Sequence, residues 1–334
     1  MAEMNREAAV IVENLEKSYR KIKAVDGIFF RVERGEVFGF LGPNGAGKTT
    51  TIRILLTLIQ PTAGKVSVLG LDVKKEADKI RQLAGYVPQG ISVDGEITAY
   101  ENLLIYSKLY GVPSSQRKKR ISEVLEYIGL ADRANDMVKT YSGGMMRRLE
   151  LAQSLINRPQ ILFLDEPSIG LDPNSRNAMW EMVRSLRQEL GTTVFLTTHD
   201  MVEADALCDR IGIMDKGKLV VIGTPAYLKA TVGGDVVTVS AKNAALGEAI
   251  QKLGYKTIGE ATNGNADLLV ENGENAIPRI VSGFKEQGID LESIYLKKPS
   301  LDDVFLKYTG SRIDDGAGWA QTKKIRAAYG RMAK

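Results

Sequence analysis

Runs of apolar residues in this chain stop abruptly at glycine, carboxylate or histidine. Val37-Phe38-Gly39-Phe40-Leu41 runs into Gly42, Ile161-Leu162-Phe163-Leu164 into Asp165-Glu166, and Val194-Phe195-Leu196-Thr197-Thr198 into His199. Short, continuous, β-branched and aromatic runs read as strands buried on both faces, the pattern of a parallel sheet. Val10-Ile11-Val12, Ile28-Phe29-Phe30 and Lys65 to Leu69 lie between glycines and charged turns and read as an antiparallel β element. Between Gln89 and Ser142 the pattern becomes helical, with apolar residues at three- and four-residue spacing in Asn102 to Tyr110 and Ile121 to Ile128. Met201 to Cys208 reads as a helix, and 211–214 and 219–222 as a hairpin turning at Lys216-Gly217.

Composition breaks at Thr231-Val232-Gly233-Gly234, which places a boundary there. The segment beyond predicts strands at Val236 to Ser240, Tyr255 to Ile258, Asp267 to Val270 and Leu291 to Leu296. Helices at Ala244 to Leu253 and Asn275 to Gln287 make the order β-α-β-β-α-β, a ferredoxin-like split βαβ unit, and Ser300 to Tyr308 adds a capped helix. The expected domains are therefore 8–231 and 232–309, with a mobile Gly-, Ala- and Lys-rich tail at 310–334.

The strand ends carry the chemistry. Gly42-Pro43-Asn44-Gly45-Ala46-Gly47-Lys48-Thr49 fits the phosphate-binding pattern G-x-x-x-x-G-K-[ST] between a strand and a helix read over Thr49-Thr50-Thr51 to Leu56. Its backbone N–H groups and the helix dipole converge on a polyphosphate. Lys48 adds a point charge, and Thr49 offers a hydroxyl to Mg²⁺. Asp165, at a strand's carboxyl end, is placed to hold the same ion, while the neighbouring Glu166 is placed to polarise a water. His199, the single histidine, sits at another carboxyl end, where the expected γ-phosphate contact stands against an ordinary surface or satisfied core histidine. Ser142 precedes a helical pattern (Leu149, Ala152, Ile156) and reads as its N-cap; with Gly143 and Gly144 it makes a second anion site.

With those residues in place, the chain resembles the ATP-binding-cassette (ABC) ATPases that power membrane transport, from about Val10 to Thr231. Ser142-Gly143-Gly144-Met145-Met146 matches the signature of that class, with Tyr141 and Met145 where most members have Leu and Gln. This variant and the C-terminal extension resemble the daunorubicin-exporter branch. The resemblance implies an α/β P-loop cassette with a RecA-like core, an antiparallel β element and a helical signature subdomain. It implies ATP and Mg²⁺ as ligands, and two copies sandwiching two ATP molecules, each signature closing on its partner's γ-phosphate. Ser168 to Asp172 resembles the D-loop, with Asp172 at the nucleotide. Gln89 is either the Q-loop residue that reaches Mg²⁺ or an ordinary loop amide. Tyr19 either stacks on adenine or packs on the first strands.

Net charge is +4, with 45 basic and 41 acidic side chains, too balanced to argue for nucleic acid. The basic run Arg117-Lys118-Lys119-Arg120 reads as the solvated face of a helix. Cys208 stands alone, which excludes an internal disulfide and fits a small buried residue in a reducing compartment. The first residues lack the apolar core of a signal peptide, and no stretch approaches the ~18 apolar residues of a membrane span. The expected role is an ATP hydrolase peripheral to the cytoplasmic face of the membrane, driving export through a separate integral permease. The alternative is a soluble ABC ATPase acting on a ribosome, nucleic acid or another macromolecular complex.

Overall fold

A computed structural model describes residues 7–241, 246–257 and 264–310, which fall into two units divided between Thr224 and Pro225. In the first unit, β1 (Ala8–Tyr19) and β2 (Ile22–Glu33) pair as an antiparallel hairpin. Val10 and Val12 are buried, with Ile11 exposed between them, as period-two alternation requires. β3 (Val37–Leu41) is buried throughout and leads through a glycine-rich loop into α1 (Lys48–Leu55). β4 (Ala63–Val68) and β5 (Leu71–Asp72) complete an antiparallel sheet of order β2-β1-β4-β5.

The chain continues through α2 (Ala77–Leu83) and β6 (Ala84–Val87) into a helical section: α3 (Ala99–Leu109), α4 (Ser114–Tyr127) and α5 (Gly143–Leu155). It returns through β7 (Ile161–Asp165), α6 (Pro173–Leu190), β8 (Thr193–Thr198), α7 (Met201–Leu207), β9 (Arg210–Asp215) and β10 (Lys218–Gly223). The second sheet has the order β10-β9-β3-β8-β7-β6. Its strands are parallel except for the hairpin strand β10. Phe30 of β2 packs with Phe38, Phe40 and Phe195, their ring centroids 4.8–6.0 Å apart, so one aromatic cluster joins the two sheets.

The predicted helices begin earlier than their apolar spacing suggests. α3 starts at Ala99 because Thr98 and Glu101 close a capping box ahead of the first periodic residue. α4 starts at Ser114, so the basic run occupies its first two turns. Lys118 and Lys119 are exposed, but the Arg120 side chain is only 13% exposed. The solvated-face reading therefore fails at Arg120, which lies beside the buried Ile121 and one turn before the buried Val124.

In the second unit, α8 (Pro225–Val232) precedes β11 (Asp235–Ala241), α9 (Leu246–Lys252), β12 (Lys256–Thr257), β13 (Asn265–Val270), α10 (Gly273–Glu286), β14 (Leu291–Lys297) and α11 (Leu301–Thr309). The antiparallel order β12-β13-β11-β14 is that of a split βαβ fold. Val237, Val239, Leu268, Ile280 and Phe284 form its own buried core. α8 packs against α11, and the division accordingly precedes α8 rather than following Thr231. The expected helix start at Ala244, the strand end at Ile258 and the tail beyond Gly310 lie outside the described residues.

Candidate active site

β3 delivers the loop to the N-terminus of α1. Gly47, the last loop residue, has φ +104°, and a Cβ there would stand 2.5 Å from the Ala24 carbonyl oxygen, so only glycine fits. The first turn of α1 carries no acidic side chain, leaving its dipole available to an anion. Lys48 opens the helix almost fully buried. Its ammonium donates to the carbonyls of Gly42 (2.6 Å) and Pro43 (3.2 Å) and stands 3.4 Å from Glu166 Oε1. Burial pulls its pKa below the usual lysine value, against the pull of Glu166.

β7 and β8, paired in parallel, bring their carboxyl ends to this loop. Asp165 Oδ1 accepts from the hydroxyls of Thr49 (3.1 Å) and Thr197 (2.6 Å). Glu166 follows with φ +52°, an unusual backbone for a residue with a Cβ, held by its amide donating to the Thr197 carbonyl at 3.0 Å. That turn sends its carboxylate inward. Oε2 accepts from His199 Nδ1 (3.0 Å) and Gln89 Nε2 (3.3 Å). Burial raises the Glu166 pKa, but the bond from His199 and the Lys48 charge outweigh it, and the group titrates below its ordinary value. The same bond raises the pKa of His199 against its own burial. A carboxylate acceptor requires the His199 proton on Nδ1.

Lys48, Thr49, Asp165, Glu166, Gln89 and His199 are thus one connected cluster. Gln89 reaches Glu166, while the Thr49–Asp165 pair stands beside it. No group of three or more His, Cys, Asp or Glu side chains poised for a metal exists among the described residues. The Thr49 and Asp165 oxygens fit Mg²⁺, a cation that takes few protein ligands and completes its shell with phosphate and water.

The signature residues form a second patch. Ser142 caps α5, its Oγ accepting from the Met145 amide at 3.3 Å, and Ser142 and Gly143 are exposed. Asp172 caps α6 by accepting from the amides of Asn174 (3.0 Å) and Ser175 (3.1 Å) and the Ser175 hydroxyl (2.6 Å). Those bonds, the hydroxyl's first, hold its carboxyl below the usual range. A Cβ on Gly144 would come within 2.3 Å of Ser175 Oγ, so the signature turn and the start of α6 abut. No hydrogen bond joins Ser142, Gly143 or Gly144 to the 42–49 loop among the described residues. Tyr19 ends β1 at 43% exposure, with the Lys17 ammonium 5.1 Å from its ring centroid, so it is not packed into the core.

Two buried residues escaped the sequence reading. Arg147 of α5 donates to the carbonyls of Pro88 (2.6 Å), Pro167 (2.8 Å), Glu166 (3.0 Å) and Asp165 (3.3 Å), and to Glu150 Oε2 (2.8 Å). It ties helix α5 to the segments that carry Gln89 and Glu166. Glu203 of α7, 1% exposed, accepts from Trp180 Nε1 of α6 at 3.1 Å and from the hydroxyls of Thr198 and Ser168; burial raises its pKa. An Arg and a Glu three apart on a helix ordinarily mark a solvated pair, so the sequence carries no signal for the first.

Comparison with known proteins follows the same division. Residues 25–169 match the ABC transporter family and residues 223–309 the C-terminal domain of ATP-binding protein DrrA1-3-like proteins. The chain is 40% identical over 310 residues to the linearmycin resistance ATP-binding protein LnrL of Bacillus subtilis, spanning 91% of this chain and 99% of that one. It is 43% identical over 308 residues to the daunorubicin resistance ATP-binding protein DrrA3 of Streptomyces coeruleorubidus, spanning 91% and 96%. Among solved structures it resembles the dimeric ATP-binding cassette MJ0796 in a post-hydrolysis state bound to ADP and Pi. The TM-score is 0.59 at 29% identity, covering 64% of this chain and 98% of that one.

Proposed function

Since the chain belongs to the ABC transporter family, as an ATP-binding subunit of its daunorubicin-resistance branch, we propose that it hydrolyses ATP to power export of a substrate through a separate integral permease. The carrying observation is the cluster of Lys48, Gln89, Glu166 and His199 at the strand ends. Its relatives' names, resistance ATP-binding proteins, support export. No helix among the described residues is long and apolar enough to cross a membrane, which supports a permease on another chain and a peripheral place at the cytoplasmic face.

In this reading the 42–49 amides, the α1 dipole and Lys48 hold the β- and γ-phosphates, with Thr50 next along the helix and Tyr19 against the adenine. Thr49 and Asp165 would hold Mg²⁺, which neutralises charge across the phosphate oxygens. Thr197 fixes the Asp165 carboxylate. Glu166, kept ionised, draws a proton from the attacking water, and Gln89 and His199 hold its carboxylate on line. Ser142 and Gly143, exposed at the N-terminus of α5, meet the ATP of a second copy together with the backbone of the buried Gly144, with Asp172 beside them. The dimeric MJ0796 cassette supports that pairing. The unit from Pro225, which has its own core and carries none of these residues, serves assembly or regulation.

The test is Glu166→Gln. ATP affinity is expected to persist while turnover falls by about 10²–10⁴, and a dimer retaining ATP accumulates on gel filtration. Near-normal steady-state hydrolysis by this variant overturns the assignment.

A further inference from the structure

A second concave feature lies far along the sheet from the nucleotide cluster. It is a cavity of about 540 Å³ at the amino ends of β7 and β8, walled by α4 and the end of α6. Parallel strands put the catalytic residues at their carboxyl ends, so the two features occupy opposite edges of the same sheet. The size is that of a small-ligand pocket.

Its charges do not balance. Arg34, Arg120 and Arg158 line it with a single carboxylate, Glu123. Glu123 Oε2 is shared, 3.4 Å from Arg120 Nε and 3.2 Å from Arg158 Nη2. Arg34 has Gln160 Oε1 at 3.1 Å and the largely exposed Glu7 at 3.2 Å. The Nε atoms of Arg34 and Arg120 are buried, and these carboxylates lie close enough for ion pairing but off the direction a hydrogen bond needs, so both donors lack a partner. Buried donors are paired in folded proteins with few exceptions, and each exception calls for a reason. Burial and the neighbouring Arg158 charge both disfavour the Arg120 cation. Arg158 also has φ +52° immediately before Pro159, where an extended backbone is usual. Strained backbone of this kind concentrates at binding sites.

Beside Gln160, Thr192 and Thr193 the wall carries an apolar stretch: Tyr127, whose hydroxyl is already bonded to the Met182 carbonyl at 3.0 Å, Leu155, and Leu190 at the rim. The carboxyl end of α6 opens nearby and offsets part of the positive field, but its dipole supplies no acceptor to the orphan Nε atoms.

We propose that this cavity binds a small amphipathic anion. One carboxylate or phosphate group sits among the three guanidiniums, and an apolar body lies against Tyr127, Leu155 and Leu190. Planar, forked guanidiniums suit either group. An occupant would bridge α4 to the start of β8.

The experiment uses the full chain with saturating ADP, which keeps the probes out of the nucleotide site. 1-Naphthyl phosphate, 1-naphthoate and inorganic phosphate are titrated by calorimetry; the first two distinguish a phosphate from a carboxylate preference. At least one naphthyl probe is expected to bind with one-to-one stoichiometry and at least tenfold more tightly than inorganic phosphate. Arg158→Gln, at an exposed side chain that leaves folding intact, weakens it at least tenfold. Glu123→Gln, which removes the carboxylate that lines the cavity and competes for Arg120 and Arg158, tightens it several-fold. Absence of saturable binding at millimolar probe, or binding that neither variant changes, overturns the proposal.

Discussion

Replacing Arg147 by Met keeps an unbranched stem that ends near the position of Nε and removes a guanidinium that serves five acceptors, four of them carbonyls in the segments carrying Gln89 and Glu166. Were this an exposed pair with Glu150, its loss would cost about 0–1 kcal/mol. The pair is instead buried, with side chains 7% and 1% exposed. Removing one partner of a buried pair costs about 3–5 kcal/mol. Leaving a buried acceptor unmatched costs about 1–3 kcal/mol. Glu150 keeps two donors from Ser92, its amide and its hydroxyl, which softens the penalty on that side. These effects overlap, so the expected destabilisation of the first unit is about 3–5 kcal/mol rather than their sum. Urea unfolding followed by Trp180 fluorescence in a Trp319→Phe background reads that unit alone, which matters because a chain of two units need not unfold in one step. Below the transition kcat also falls, because Glu166 loses the donor to its carbonyl, while ATP affinity holds. Adding Glu150→Gln recovers part of the stability. A loss under about 1 kcal/mol with unchanged kcat refutes the idea that Arg147 locks the site, since that is the value of an exposed pair.

Two further predictions concern the site. His199 is the only histidine, so its imidazole titration can be read directly by NMR in nucleotide-free protein. Its folded-state pKa is raised above 6.5 by Glu166, so its stabilising contribution is complete below about pH 6.5 and disappears as pH rises through the higher folded value. Glu166, lowered below 4.5, contributes above about pH 4.5 and loses its contribution as pH falls through the lower folded value, so the pair holds between the two. A midpoint above 6.5 that drops in Glu166→Gln is expected; an identical midpoint in both proteins contradicts the pairing. Mixed dimers of Lys48→Ala and Ser142→Arg place both defects in one site and leave the other intact, so partial ATPase recovery on subunit exchange is expected. No recovery, with exchange verified by labelled subunits, counts against sites shared between copies.

That Lys48, Thr49, Asp165, Glu166 and His199 meet at the strand ends was legible because they sit where chain geometry changes. A glycine that must take positive φ, a carboxylate ending an apolar run and a serine ahead of a helix are all visible one-dimensionally. Arg147, Glu203 and Arg120 were not. Each is a charged side chain buried by contacts from other elements, and local periodicity reports only which face of its own helix a residue shares. The division between units was displaced for a similar reason. Gly233-Gly234 reads as a linker, yet the preceding helix carries Leu228, fully buried, and packs against α11, some seventy residues on. The start of α3 was hidden by a capping box whose members are polar.

The position of β3 bears on how the chain is made. It lies at the middle of its sheet with β8 on one side and β9 on the other, and both neighbours are encoded near the far end of the first unit. At ribosomal speeds of about 5–20 residues per second, the phosphate loop emerges roughly ten to thirty seconds before the strands that flank it. During that interval β3 is an apolar strand with two open edges, and Glu166 has no Thr197 carbonyl to fix its turn. ATP therefore gains its binding site only when synthesis has passed β9, and a nascent chain stalled earlier presents a sticky edge instead of a nucleotide pocket.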